Sequence, residues 1–295
     1  MFTIDSNIHR KDRFDVIVGV GIYLTGKALN KNGDLIDKNI AKEKAKLKDV
    51  LQFINSEMKG LGKSSALFVL DDASPAKVDL SGIFEKTAVI TLTKNWGIGQ
   101  KENILEVCSR QYSPFLFRFD QDVKIQGPLS HMFAAHEEIE NLFGAGINSG
   151  FIGAMLTGGN ENDDPYIHTV QLANGILERT EFFDVIGHTD PQLRYFHDLD
   201  LFYRAKEAGF KTVMAMKAKG SAVASRAAGT TKNDYLKFEA QYLKATNHCL
   251  DFYLRKNGLP CIRYKPTKKS ELPLYPPKKV APSPLSLFIR DSLGL

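Results

Sequence analysis

Short apolar runs alternate with amphipathic stretches through the first half of the chain. Val16 to Leu24 is the first run, apolar but for Gly19, Gly21 and Tyr23, and reads as a buried strand. From about Ala41 to Met58, Leu47, Val50, Leu51, Ile54 and Met58 recur on one helical face with lysines opposite. Ala66 to Leu70 is a short apolar strand that stops at Asp71-Asp72-Ala73-Ser74-Pro75. Ala88 to Leu92 stops at Asn95-Trp96-Gly97, and a helix begins near Gln100. Phe115 to Phe119 stops at Asp120-Gln121-Asp122, and the stretch after Pro128 carries Met132, Phe133, Ile139 and Leu142 at helical spacing.

The second half is less regular. Phe143 to Gly159 is glycine-rich and apolar, then turns acidic through Asp164. Tyr166 to Leu172 reads as a strand, Glu178 to Ile186 as a short helix, and Tyr195 to Asp200 leads into a helix closed by Gly209. Lys211 to Met216 reads as a strand. Asn233-Asp234 caps a last predicted helix reaching about Arg255.

Strands alternating with helices predict parallel pairing in an α/β fold, a mostly parallel central sheet flanked by helices. In such sheets ligands sit beyond the carboxyl ends of the strands. The clusters at Asp71-Asp72, Asn95 and Asp120-Gln121-Asp122 each follow a strand, so all three are expected at one sheet edge. Asp-x-Asp at a strand end is either a solvated turn or a site for Mn²⁺ or Mg²⁺ shared with substrate phosphates. His197-Asp198-Leu199-Asp200 opens a predicted helix. Its acids either complement the helix dipole or offer a base to a hydroxyl proton.

Composition narrows the class. The chain has 295 residues, 43% hydrophobic and 25% charged, which suits a folded domain with a large core. No apolar run is long enough to span a membrane, and Met1 to Arg13 lacks an apolar signal core, so a cytoplasmic protein is expected. Cys108, Cys249 and Cys261 show no metal-binding spacing and read as reduced thiols. Between Ile262 and Lys279 lie six basic residues and one acid, which accounts for the net charge of +5. Seven of the 12 prolines follow Leu259. Residues 261–295 therefore read as a basic, proline-rich irregular tail, either solvated or contacting an anionic partner such as DNA or a membrane surface.

Four stretches in order resemble the GT-A glycosyltransferases, and among them the inverting family-2 group. Leu67-Phe68-Val69-Leu70-Asp71-Asp72-Ala73-Ser74 is similar to the family's strand ending in Asp-Asp-Gly-Ser. Asn95-Trp96-Gly97 through Asn103 resembles its Asn-x-Gly-x-x-x-x-Arg-Asn stretch, with Glu102 in the arginine position and Lys101 beside it. Phe117 to Asp122 resembles its Asp-x-Asp strand. Phe182 to Gly187 followed by His197-Asp198-Leu199-Asp200 through Ala208-Gly209-Phe210 resembles its Glu-Asp-x-Asp region, with His197 replacing the glutamate. The likeness covers roughly Val16 to Val213.

The resemblance implies a catalytic domain, taken as residues 1–225, and the pattern of the chain adds a helical segment over 226–260 and the tail beyond. It implies nucleotide contacts at Asp71, Asp72, Asn95, Gly97 and Asp120, a metal (Mn²⁺ or Mg²⁺) on Asp122, and a general base at Asp198. Asn174, Gly175, His197 and Asp200 would lie near donor sugar or acceptor, and His248 is either a further metal ligand or a partly buried packing histidine. The implied reaction moves a sugar, with inversion, from a nucleotide sugar such as a UDP-sugar to a glycan or lipid-linked acceptor. A DNA-modifying glycosyltransferase and a non-catalytic nucleotide-sugar or nucleic-acid binder are the alternatives.

Overall fold

The structure is a computed structural model. It describes residues 2–29, 35–143, 149–156, 166–168, 175–193, 197–208, 210–222, 226–227 and 279–294. The predicted helix from Asn233, His248, Asn174 and the basic stretch 262–278 lie outside the described residues.

In chain order the elements are β1 (Phe2–Ser6), β2 (Val16–Ile22), β3 (Lys27–Leu29), β4 (Leu35–Asp37), α1 (Ile40–Gly60), β5 (Ser65–Asp71), β6 (Thr87–Leu92) and α2 (Ile98–Ser109). Then follow β7 (Phe115–Asp120), β8 (Val123–Ile125), α3 (Ser130–Phe143), β9 (Ser149–Leu156), β10 (Tyr166–His168) and β11 (Gly175–Arg179). The last are α4 (Phe183–Ile186), α5 (His197–Glu207), β12 (Lys211–Ala222), β13 (Arg226–Ala227) and α6 (Pro284–Ser292).

Among the described residues one ten-stranded sheet dominates, in the order β1-β6-β5-β2-β7-β11-β9-β12-β10, with β8 also paired to β12. Strands β6, β5, β2 and β7 run parallel to one another, as the alternation with helices predicts, and β1 lies antiparallel to β6 at the edge. Beyond β7 the sheet is mixed. β11 is antiparallel to both β7 and β9, whereas β9 and β12 are parallel. The parallel block carries its carboxyl ends, and hence Asp71, Asp120 and the turn after β6, to one edge.

The core lies in two layers, set by alternation along the strands. Val16, Val18, Val20 and Ile22 face a cluster with Leu47, Leu51, Ile54 and Met58 of α1 and Met132 of α3. Ile17, Phe68 and Leu116 face the opposite layer, with Ile104, Leu105 and Cys108 of α2 and Leu201 of α5. Each fully buried aliphatic side chain contributes roughly 1.5–3 kcal/mol. Helix α1 opens on Asn39, whose side chain accepts from the Lys42 N–H.

Two readings change. Glu178 and Arg179 end strand β11 rather than opening a helix, because Glu178 is held inside by Arg118 of the neighbouring strand at 2.8 Å. The irregular tail gives way at its end to helix α6. Pro284 occupies its first turn and the Ser283 side chain caps it by accepting from Ser286 N–H. Just before α6, Val280 bridges Gly187 and accepts the His188 N–H at 2.9 Å. Among the described residues no helix is long and apolar enough to cross a membrane.

Candidate active site

Loop-to-loop hydrogen bonds tie the strand ends together. Asp72, fully buried, accepts the Trp96 N–H at 2.7 Å and the Gly97 N–H at 3.0 Å, so its carboxylate sets the turn into α2. That places a carboxylate at the helix N-terminus, where the dipole favours it. Burial pushes the Asp72 carboxyl up, against these two backbone donors. Asp71, also buried, accepts the Ser74 N–H at 2.8 Å, and the Ser74 hydroxyl accepts the Leu24 N–H at 2.9 Å. Gln121 binds both backbone groups of Tyr23, accepting its N–H at 2.5 Å and donating to its carbonyl at 3.2 Å. The middle residue of Asp-x-Asp thus pins that turn to the end of β2.

Beside this turn lies a cavity of about 60 Å³, lined by Gly21, Lys101, Glu102, Asp120, His197 and Asp198 among others. Two of the predicted acids, Asp120 from the end of β7 and Asp198 from the first turn of α5, therefore share one space. Lys101 reaches it by crossing the backbone at Gly21, where an added Cβ would lie 3.2 Å from the lysine chain. Asp122 lines a second, larger groove of about 610 Å³ with Lys124 and residues of α1 such as Lys42 and Phe53. Asp120 lines the first cavity and Asp122 the second, and the two remain close enough for Asp122 to raise the Asp120 carboxyl.

Asp120 is the electrostatically loaded member. Burial, then Glu102 and Asp122, push its carboxyl up to about 6, against the pull of His197 and Lys101. Two carboxylates at one turn, one of them held up partly by repulsion, fit a hard divalent cation that would relieve it. No group of three His, Cys, Asp or Glu gathers as a metal cluster among the described residues. Such an ion would take its other ligands from phosphate and water.

Other expected residues sit elsewhere. Asn95 is exposed in the turn before α2, and Gly97, with φ 87°, is the residue preceding that helix. Gly175 begins β11 opposite Phe119, next to Asp120 along the strand end. Asp200 points into the interior. Arg204 donates to it at 3.0 Å, and to the carbonyls of Ile186 at 2.5 Å and His188 at 2.9 Å. Arg204, held by Asp200, therefore anchors α5 to the segment before it. Cys108 is buried, which pushes its thiol up to about 12.

No protein-family profile matches the chain, and no curated protein matches its sequence. Solved structures do match in shape. GalNAc-T7 with UDP, GalNAc and Mn²⁺ aligns at a TM-score of 0.54 and 12% identity, over 82% of this chain and 48% of that one. S. aureus TarS 1–349 in complex with UDP aligns at 0.51 and 15%, over 83% and 74%. The fold is that of the GT-A glycosyltransferases. The chain spans about half the length of the GalNAc-T7 chain it matches, and 63% of another TarS 1–349 structure, for which the TM-score is 0.47.

Against the GT-A pattern the chain departs at Glu102, where arginine is expected, and at His197, where glutamate is expected. The structure brings these two positions into contact. His197 Nε2 lies 3.1 Å from Glu102 Oε1. Glu102 also pairs with Arg118, which is held by Glu178 at 2.8 Å and lies 3.7 Å from Glu106. Burial alone would lower the His197 pKa, but the Glu102 carboxylate outweighs it and lifts the imidazole to about 9. Glu102 is likewise held down to about 2, its burial outweighed by Arg118 and His197. Arg118, Glu178 and Lys101 were not singled out from sequence as site residues. The signal available for the first two was a charge inside each of two otherwise apolar strands.

Proposed function

We propose that this chain is a nucleotide-sugar-dependent glycosyltransferase that transfers a sugar to an acceptor hydroxyl with inversion. The observation that supports it most strongly is the sharing of one cavity by Asp120 and Asp198 at the carboxyl edge of the parallel strands, with Lys101 across Gly21. Fold likeness to glycosyltransferases solved with UDP favours a UDP-sugar as donor.

In this reading the donor's diphosphate lies at the Asp120–Asp122 turn. Asp122, with Asp120 beside it, would hold Mn²⁺ or Mg²⁺, and the ion would supply positive charge to offset the negative charge on the departing diphosphate. Lys101 adds a fixed positive charge on the same side. Asp198 accepts the acceptor's hydroxyl proton as that oxygen attacks the anomeric carbon, and a single displacement inverts the configuration. The proposed acceptor is a glycan or lipid-linked sugar.

The test is a screen of nucleotide sugars, one at a time with Mn²⁺, followed by NMR assignment of the product's anomeric configuration. An inverted product formed only with divalent metal is expected. A retained configuration overturns the single displacement, and full turnover in a chelator overturns the metal assignment.

A further inference from the structure

Asp198 stands between two anchored neighbours. On one side Asp200 is fixed by Arg204. On the other, His197 reaches across to Glu102 of α2, 95 positions earlier in the chain. His197 Nδ1 is buried and finds no hydrogen-bond partner among the described residues, so Glu102 is the ring's directed contact there. The surroundings explain why a cation belongs at this position. Glu102, Glu106 and Glu178 converge on the single guanidinium of Arg118, and the side chains of Arg118, Glu106 and Glu178 are each at most 4% exposed. Thr189 satisfies Glu106 through its N–H at 2.7 Å and its hydroxyl. Burial pushes the Glu178 carboxyl up to about 8, but Glu102 and Glu106 on one arginine still leave negative charge in excess, and His197 supplies the second cation. A buried acid that loses its partner is strongly penalised, so the first turn of α5 is held where the imidazole meets Glu102.

We propose that the Glu102–His197 ion pair is a positioning device that fixes the first turn of α5 and so aims Asp198 into the cavity beside Asp120. Glu102 and His197 are positioning residues; Asp198 is the group they act through. The proposal rests on the transferase reading, because it is Asp198 as base that gives the alignment its consequence.

The pair predicts a kinetic signature. Glu102 and His197 act on Asp120 only through charge, in opposite directions, whereas Asp198 is carried on the same turn as His197, so disturbing the pair should lower kcat far more than it changes the donor KM. Losses from two members of one pair are also non-additive.

The experiment compares wild type with Glu102→Gln, His197→Gln, the double variant and His197→Arg, each measured for kcat, donor KM and urea unfolding. Each glutamine variant should lose roughly 10- to 100-fold in kcat, the range of a misplaced reacting group, with donor KM within about twofold. The double variant should fall no further than the worse single one. His197→Arg, which keeps a cation opposite Glu102, should recover most of kcat. Additive losses, a loss confined to KM, or no recovery by arginine in a folded protein overturns the pair's role. Failure of wild type to transfer from any nucleotide sugar is a different result, and it overturns the transferase reading itself.

Discussion

Glycine at position 99 shows how tightly the start of α2 is held. Its N–H donates to the Leu193 carbonyl at 3.1 Å. A Cβ there would lie 2.3 Å from that oxygen and 2.4 Å from the Asp190 oxygen. Gly99→Ala must push α2 from the 190–193 segment, and should cost about 1–3 kcal/mol as overpacking does, read as a lower urea midpoint. Lys101, two residues on, meets the diphosphate in the proposed reaction. Lys101→Met removes that charge and keeps the stem over Gly21, so it should weaken UDP binding about tenfold by calorimetry while leaving the unfolding midpoint in place. Unchanged UDP affinity would remove Lys101 from the site.

At the scale of elements, α2 is the hub. Gln100 and Asn103 bind the start of α6 through Ser283 and Ser286, Glu106 binds Thr189, and Glu102 binds Arg118 and His197. Asn103 donates to the Thr189 carbonyl at 2.7 Å and accepts from Ser283 N–H and the Ser286 hydroxyl. Asn103→Ala strands these buried partners and should cost about 1–3 kcal/mol by denaturant titration. The α2–α5 tie also has a pH signature. Around His197 stand Glu102 of α2, Arg118 of β7, Asp120 at the end of β7 and its neighbour Asp198. The folded pKa of His197 is raised from 6.5 to about 9, so its contribution is complete below about 6.5 and is lost as pH rises through about 9. Glu102 is lowered from 4.5 to about 2, so its contribution is complete above about 4.5 and is lost as pH falls through about 2. The pair's contribution to stability is complete between about pH 4.5 and 6.5. The unfolding midpoint should fall from pH 6.5 to 9 in wild type, with a shallower slope in His197→Gln. Identical slopes would contradict the assignment.

Over the whole molecule, legibility followed burial pattern. Strands β2, β5, β6 and β7 and helix α1 were readable because apolar runs and a 3.6-residue stripe are local signals. β1 alternates with polar residues as an edge strand does, and that register with β6 is fixed only by pairing. β11 was missed because Glu178 reads as polar until Arg118 of the neighbouring strand neutralises it. α6 was hidden by proline density, although Pro284 sits where a helix tolerates it. The site followed the same division. Asp120, Asp122 and Asp198 stood out as acids at element ends. The roles of Asp72 and Asp200 as clamps, and the meeting of Glu102 with His197, depend on which strands neighbour one another, which residue spacing does not encode.

In the proposed reaction Asp198 performs the proton transfer, in a site assembled by β7, α2 and α5. The most direct measurement is turnover and UDP binding of wild type and Asp198→Asn side by side, with the donor identified by screening and Mn²⁺ present. Asp198→Asn should bind UDP like wild type and lose about 10²- to 10⁴-fold in kcat. Transfer by Asp198→Asn at the wild-type rate would contradict it.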